Sequence, residues 1–73
     1  MSKLPRISGN MCIDALKKAG FYFKRQKGSH IVLRRNKPFT QVVIPNQKEL
    51  DRGILRSIIR IANLSIDEFV KLL

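Results

Sequence analysis

The sequence predicts an α+β fold: a three-stranded antiparallel sheet with two main helices on one face and a short helix at the C-terminus. Three observations predict it. Two segments, 9–19 and 52–62, repeat apolar residues at helical spacing. Between them lie three short runs in which apolar and polar residues alternate. Strands grouped between helices imply an antiparallel sheet covered on one face. The 73 residues suffice for one domain, so 1–73 is expected as a single domain, with 1–7 a leader and 8–73 folded.

The elements follow in order. Residues 1–7 lack periodicity and contain Pro5, which argues against structure there. Ser8 is suited to cap a helix over 9–19, because its hydroxyl can accept from a free backbone amide. Cys12, Ala15, Leu16 and Ala19 form the apolar face of that helix. Lys17 and Lys18 fall in its last turn, where the helix dipole favours cations. Gly20 supplies a left-handed residue beyond its end, and Phe21 can fold back on it.

Residues 21–27 read as a strand in which Phe21 and Phe23 alternate with Tyr22, Lys24 and Gln26. A second strand is expected over 30–34, a loop over 35–39 and a third strand over 40–44. Register follows from keeping apolar residues on one face. A three-residue loop, Lys27-Gly28-Ser29, pairs Phe23 with Leu33, Lys24 with Val32 and Gln26 with His30. A two-residue turn at Gly28-Ser29 pairs Phe23 with Arg34 and mixes the faces, so the longer loop is preferred. The next hairpin is expected to pair Leu33 with Val42 and Ile31 with Ile44.

Residues 46–50 read as a linker. Asp51 is suited to cap a helix reaching about Ala62, with Leu55, Ile58, Ile59 and Ala62 as its core stripe. Ile54 and Ile61 lie about 100° off that stripe, so the helix is expected to touch two neighbours. Arg52, Arg56 and Arg60 line its other flank, either as a solvated face or as a ridge for phosphate or a protein partner. Asn63 can end the helix in the left-handed region. Ser65 and Glu68 have the spacing of a capping box, which starts the last short helix through Val70 and packs Phe69 on the rest.

Composition narrows the function. Fifteen Lys and Arg against five acids give a net charge of +10. Such self-repulsion points to a polyanionic partner, nucleic acid above all. No apolar run approaches the roughly 18 residues of a membrane span, and the N-terminus has no signal-peptide core, so no membrane partner is expected. The single cysteine, Cys12, excludes an internal disulfide and suits a reducing cytoplasm. One His and one Cys with scattered acids give no metal-ligand spacing, so neither a metal nor another cofactor is expected.

The segment richest in chemistry is 24–34, a basic run, a glycine turn, the only histidine, then a short apolar run. The preferred register puts Gln26 opposite His30 and Lys24 diagonal to it, on the face away from the helices, with Arg34 further along. Histidine suits acid–base work near neutral pH. It can deprotonate a 2′-hydroxyl beside a scissile phosphate, while an acid protonates the departing 5′-oxygen. That acid is left open between Tyr22, Lys27 and water. Lys24, Lys27 and Arg34 can stabilise charge on the phosphorane, and Gly28 admits close approach of the backbone to a phosphate.

Several motifs together resemble the HicA family of small toxins from prokaryotic toxin–antitoxin pairs. Leu4-Pro5-Arg6-Ile7-Ser8-Gly9 is similar to the family's start, and Leu16-Lys17-Lys18-Ala19-Gly20-Phe21 to its helix–strand junction. Gln26-Lys27-Gly28-Ser29-His30 matches its glycine, serine or threonine, histidine signature. Gly53-Ile54-Leu55-Arg56-Ser57-Ile58 resembles its second-helix motif, and Ile66-Asp67-Glu68-Phe69 its ending. The linker histidine common in the family is absent here, and Ile54 and Asn63 stand where threonine and glycine are usual. The resemblance implies a fold like a double-stranded RNA-binding domain and a metal-independent endoribonuclease acting on mRNA. It further implies His30 as the catalytic histidine and neutralisation by a HicB-type antitoxin. RNA contacts are expected from Lys24, Gln26, Lys27, Gly28, Ser29 and Arg34, in a chain that is monomeric when free. The competing class is a non-catalytic double-stranded RNA-binding module.

Overall fold

In a computed structural model that describes residues 3–73, the chain runs α1 (Gly9–Lys18), β1 (Tyr22–Lys27), β2 (His30–Asn36), β3 (Phe39–Pro45), α2 (Arg52–Ile61) and α3 (Ile66–Val70). The strands form one antiparallel sheet in the order β1-β2-β3. Leu33, Val42, Ile31 and Ile44 share one face of it and join Cys12, Leu16, Leu55, Ile58 and Phe69 in a single core. The expected α+β architecture, with the helices on one side, is the observed one.

The caps explain where each helix begins and ends. Ser8 accepts from the Met11 N–H at 3.1 Å. At the other end of α1, Gly20 adopts φ 97°. The Phe21 N–H then reaches Leu16 O, and the Gly20 N–H reaches Lys17 O, both at 3.1 Å, closing a Schellman motif. Asp51 accepts from the Gly53 and Ile54 N–H groups at the start of α2, and Asn63 ends that helix at φ 62°. Ser65 and Glu68 cap α3 reciprocally. The Ser65 backbone N–H, and after it the Ser65 hydroxyl, hold the Glu68 carboxyl below its ordinary pKa.

The start of the chain is more closely held than its sequence suggests. Met1 and Ser2, part of the expected leader, lie outside the described residues. Residues 3–8 form neither helix nor strand, yet Leu4 and Ile7 are buried in the core. Ile7 O also accepts from the Leu50 N–H at 2.8 Å. Two anchors on an extended segment produce no periodicity, so pattern reading passes over them. Beside them, a Cβ on Gly9 would collide with Pro45 O and stand 3.3 Å from Asn46 Cα. Glycine there lets α1 start against the end of β3, where the Gly9 N–H donates to Gln47 O at 2.8 Å.

Cys12 is fully buried, and burial pushes its thiol up to about 12. The thiolate is the reactive form, so native protein at pH 8 is expected to resist maleimide labelling. Unfolding in guanidinium restores labelling. Prompt reaction of the folded protein would show that α1 opens readily.

The strands are longer than expected. The loop over 35–39 is largely strand, because β2 runs to Asn36 and β3 begins at Phe39. Arg35 causes the difference. It reads as a loop residue, but its guanidinium lies over the Phe21 ring at 4.7 Å and donates to Ala62 O at 3.3 Å. It therefore holds β2 to the negative end of the α2 dipole.

Candidate functional site

The β1–β2 hairpin decides which side chains meet. Its observed register is Tyr22↔Arg34, Phe23↔Leu33, Arg25↔Val32, Gln26↔Ile31 and Lys27↔His30, with an irregularity between Phe23 and Arg25. The expected Phe23–Leu33 pair is present. The expected three-residue loop is not, nor are the pairs Lys24–Val32 and Gln26–His30. The turn is the two-residue Gly28-Ser29, with Gly28 at φ 60°, as the first position of a type II′ turn requires. A bulge at Lys24 absorbs the one-residue difference, so a short turn and an apolar pair at the far end coexist. Strict alternation holds only while the register is constant along the strand, and a bulge breaks that constancy. The second hairpin follows expectation, with Leu33↔Val42 and Ile31↔Ile44.

The correction rearranges the expected constellation. Lys27, not Gln26, lies directly opposite His30, on the face away from the helices. Gln26 lies opposite Ile31 and so belongs to the helix-side face. Its side-chain amide folds back to donate to Gly28 O at 2.9 Å, which braces the turn. Lys24 sits in the bulge. Arg25, not singled out by the sequence, joins the outer face opposite Val32. Phe23, although paired with the fully buried Leu33, is 52% exposed. The helices do not reach over β1, and every β1 side chain is exposed.

His30 itself is exposed at the first position of β2. It is flanked by Lys27 on β1 and by Pro45 on β3. The turn beside it is tied down, since Ser29 O accepts from the Asn46 N–H. Arg34 lies on the same face four residues along, about 13 Å away at strand spacing. It is held there by Gln41, whose Oε1 accepts from Arg34 Nη2 at 2.8 Å, and its guanidinium lies 5.3 Å from the Phe39 ring centroid. Tyr22 is at that far end too, opposite Arg34, with its hydroxyl donating to Asn36 Oδ1 at 3.0 Å. It is too distant to serve His30 in proton transfer. Lys27 is the only one of the two candidate side chains beside the imidazole.

The electrostatics are one-sided. No Asp or Glu occurs between Asp14 and Glu49, so the whole sheet is free of acids. Arg25, Lys27 and Arg34 therefore act on the outer face without local neutralisation, with Lys24 exposed in the bulge beside them, a suitable arrangement for a phosphate backbone. Arg52, Arg56 and Arg60 are exposed on α2. Among the described residues no three His, Cys, Asp or Glu side chains gather as metal ligands do. No described helix is long and apolar enough to cross a membrane.

The family described as HicA toxin of bacterial toxin–antitoxin matches residues 9–64, which takes in α1, the whole sheet and α2. Comparison with curated proteins gave no match.

Proposed function

The chain belongs to the HicA toxin family of bacterial toxin–antitoxin systems, and from that premise we propose that it is a cytoplasmic, metal-independent endoribonuclease that cleaves mRNA. Its antitoxin is of the HicB type. The observation that carries the reading is His30, the only imidazole in the chain, exposed on an acid-free cationic face with Lys27 opposite it.

The residues divide the work as follows. His30 accepts the proton of a 2′-hydroxyl, and the freed 2′-oxygen attacks the adjacent phosphorus. The bond from phosphorus to the 5′-oxygen breaks, and that oxygen takes up a proton. Lys27 stands nearest to stabilise the charge that builds on the phosphorane. Arg25, Lys24 and Arg34 hold the flanking phosphates, so the substrate is positioned before any proton moves. Gly28 and Ser29 keep the turn narrow, with the glycine admitting the backbone close to a phosphate.

Purified protein, free of contaminating nuclease, is expected to cut RNA in the presence of EDTA. The fragments should carry 2′,3′-cyclic phosphate and 5′-hydroxyl ends. Fragments with 5′-phosphate ends, or activity abolished by EDTA, would overturn the mechanism. Salt-dependent binding of RNA that stays intact would instead identify a non-catalytic binding module.

A further inference from the structure

The two edges of the sheet are built in opposite ways. Exposed strand edges recruit other strands, and proteins normally guard them with charges or bulges. The β1 edge is guarded by both, with Lys24, Arg25 and Lys27 and the bulge between Phe23 and Arg25. The β3 edge has neither. Its sequence, Phe-Thr-Gln-Val-Val-Ile-Pro, contains no charged residue in a chain of net charge +10, and its register with β2 is unbroken.

Hydrogen bonding shows which backbone groups that edge offers. The Asn46 N–H donates to Ser29 O, so by antiparallel alternation the residues of β3 that bond to β2 are Ile44, Val42 and Thr40. The N–H and C=O groups of Gln41 and Val43 point away from the sheet. They open onto a groove of about 440 Å³ between β3 and α2, whose apolar wall is Ile54, Ile58 and Ile61. Ile54 is 37% exposed and Ile61 50%. Leu55, Ile58 and Ile59 of α2 pack into the core. The second side of the helix's wide apolar arc faces this groove.

We propose that the β3 edge is a docking site for an extended segment of an acidic partner protein, which adds as a fourth strand and sets alternate apolar side chains against Ile54 and Ile61. Charge selects that occupant. A second copy of this chain would bring another +10 to the contact, whereas an acidic strand meets the chain's net positive charge favourably. Identification of the partner as the antitoxin rests on the function proposed above. The edge itself does not depend on His30.

The test uses the full chain and its HicB-type antitoxin. Ile54→Asp removes part of the groove wall and puts a carboxylate in the first turn of α2, a position that the helix dipole favours, so the variant should fold. It is expected to bind the antitoxin at least tenfold more weakly while keeping the RNA cleavage of wild type. Hydrogen exchange on wild-type protein gives a second readout. The Gln41 and Val43 amides should exchange fast in the free protein and slowly in the complex, with Val42 and Ile44 protected in both. Unchanged affinity of Ile54→Asp, or unprotected Gln41 and Val43 amides in a formed complex, overturns the docking edge alone. Failure of wild type to bind the antitoxin at all overturns the partner assignment together with it. Dimerisation of wild type that Ile54→Asp abolishes would assign the edge to a second copy and overturn the acidic-partner proposal.

Discussion

His30→Ala is expected to lower RNA cleavage by roughly 10²–10⁴-fold, the usual contribution of a positioned acid–base group. The fold should be unaffected, because His30 is exposed at the start of β2 and its backbone pairs with Lys27 and Pro45 whatever its side chain. RNA affinity should also persist, since the cations on the same face remain. Binding to labelled RNA at two salt concentrations measures this directly, and both proteins should weaken steeply and equally with salt. Cell toxicity should fall with cleavage. Cleavage by His30→Ala at the wild-type rate would remove the histidine from the mechanism. A parallel loss of affinity and cleavage would make His30 a contact residue instead. Lys27→Ala separates the neighbouring group in the same assay, and should reduce cleavage more than it reduces binding.

Phe69→Ala is expected to produce the largest loss of stability. Phe69 belongs to a helix of five residues yet is fully buried and among the largest side chains in the core. Truncating a buried phenylalanine costs about 3–5 kcal/mol, against a typical total of about 5–15 kcal/mol for a domain. At this size each kcal/mol shifts the melting temperature by about 4–8 °C, so Tm should fall by at least roughly 12 °C. Val70→Ala on the same helix provides the control. Val70 is 39% exposed, and its truncation should move Tm by only a few degrees. Equal effects of the two variants would mean that α3 does not anchor the core through Phe69. The capping box makes the anchoring possible, because a helix this short cannot persist on propensity alone.

Much of this protein was legible in the residues because the governing physics is local. Helix ends followed from Ser8, Gly20, Asp51, Asn63 and Ser65, each of which bonds or bends the backbone within a few positions of itself. The core stripe of α2 and the second hairpin's register followed from periodicity, since one face of each element had to be buried. The missing acids of the sheet and the Gly-Ser-His signature were likewise plain from the chain itself.

Tertiary structure decided what depends on segments far apart. Arg35 became a strand residue because Phe21 and Ala62 receive its guanidinium. Leu4 and Ile7 were drawn into a core that gave no local sign of needing them. Above all, the site was assembled by a bulge. The Gly28-Ser29 turn and the Phe23–Leu33 pair each obeyed a sound rule, and only an extra residue at Lys24 allowed both, putting Lys27 rather than Gln26 beside His30. The residues of the β1–β2 hairpin fixed which groups were available for chemistry. Their pairing was set by the competition between turn geometry and apolar burial, which is settled only when the whole sheet forms against its helices.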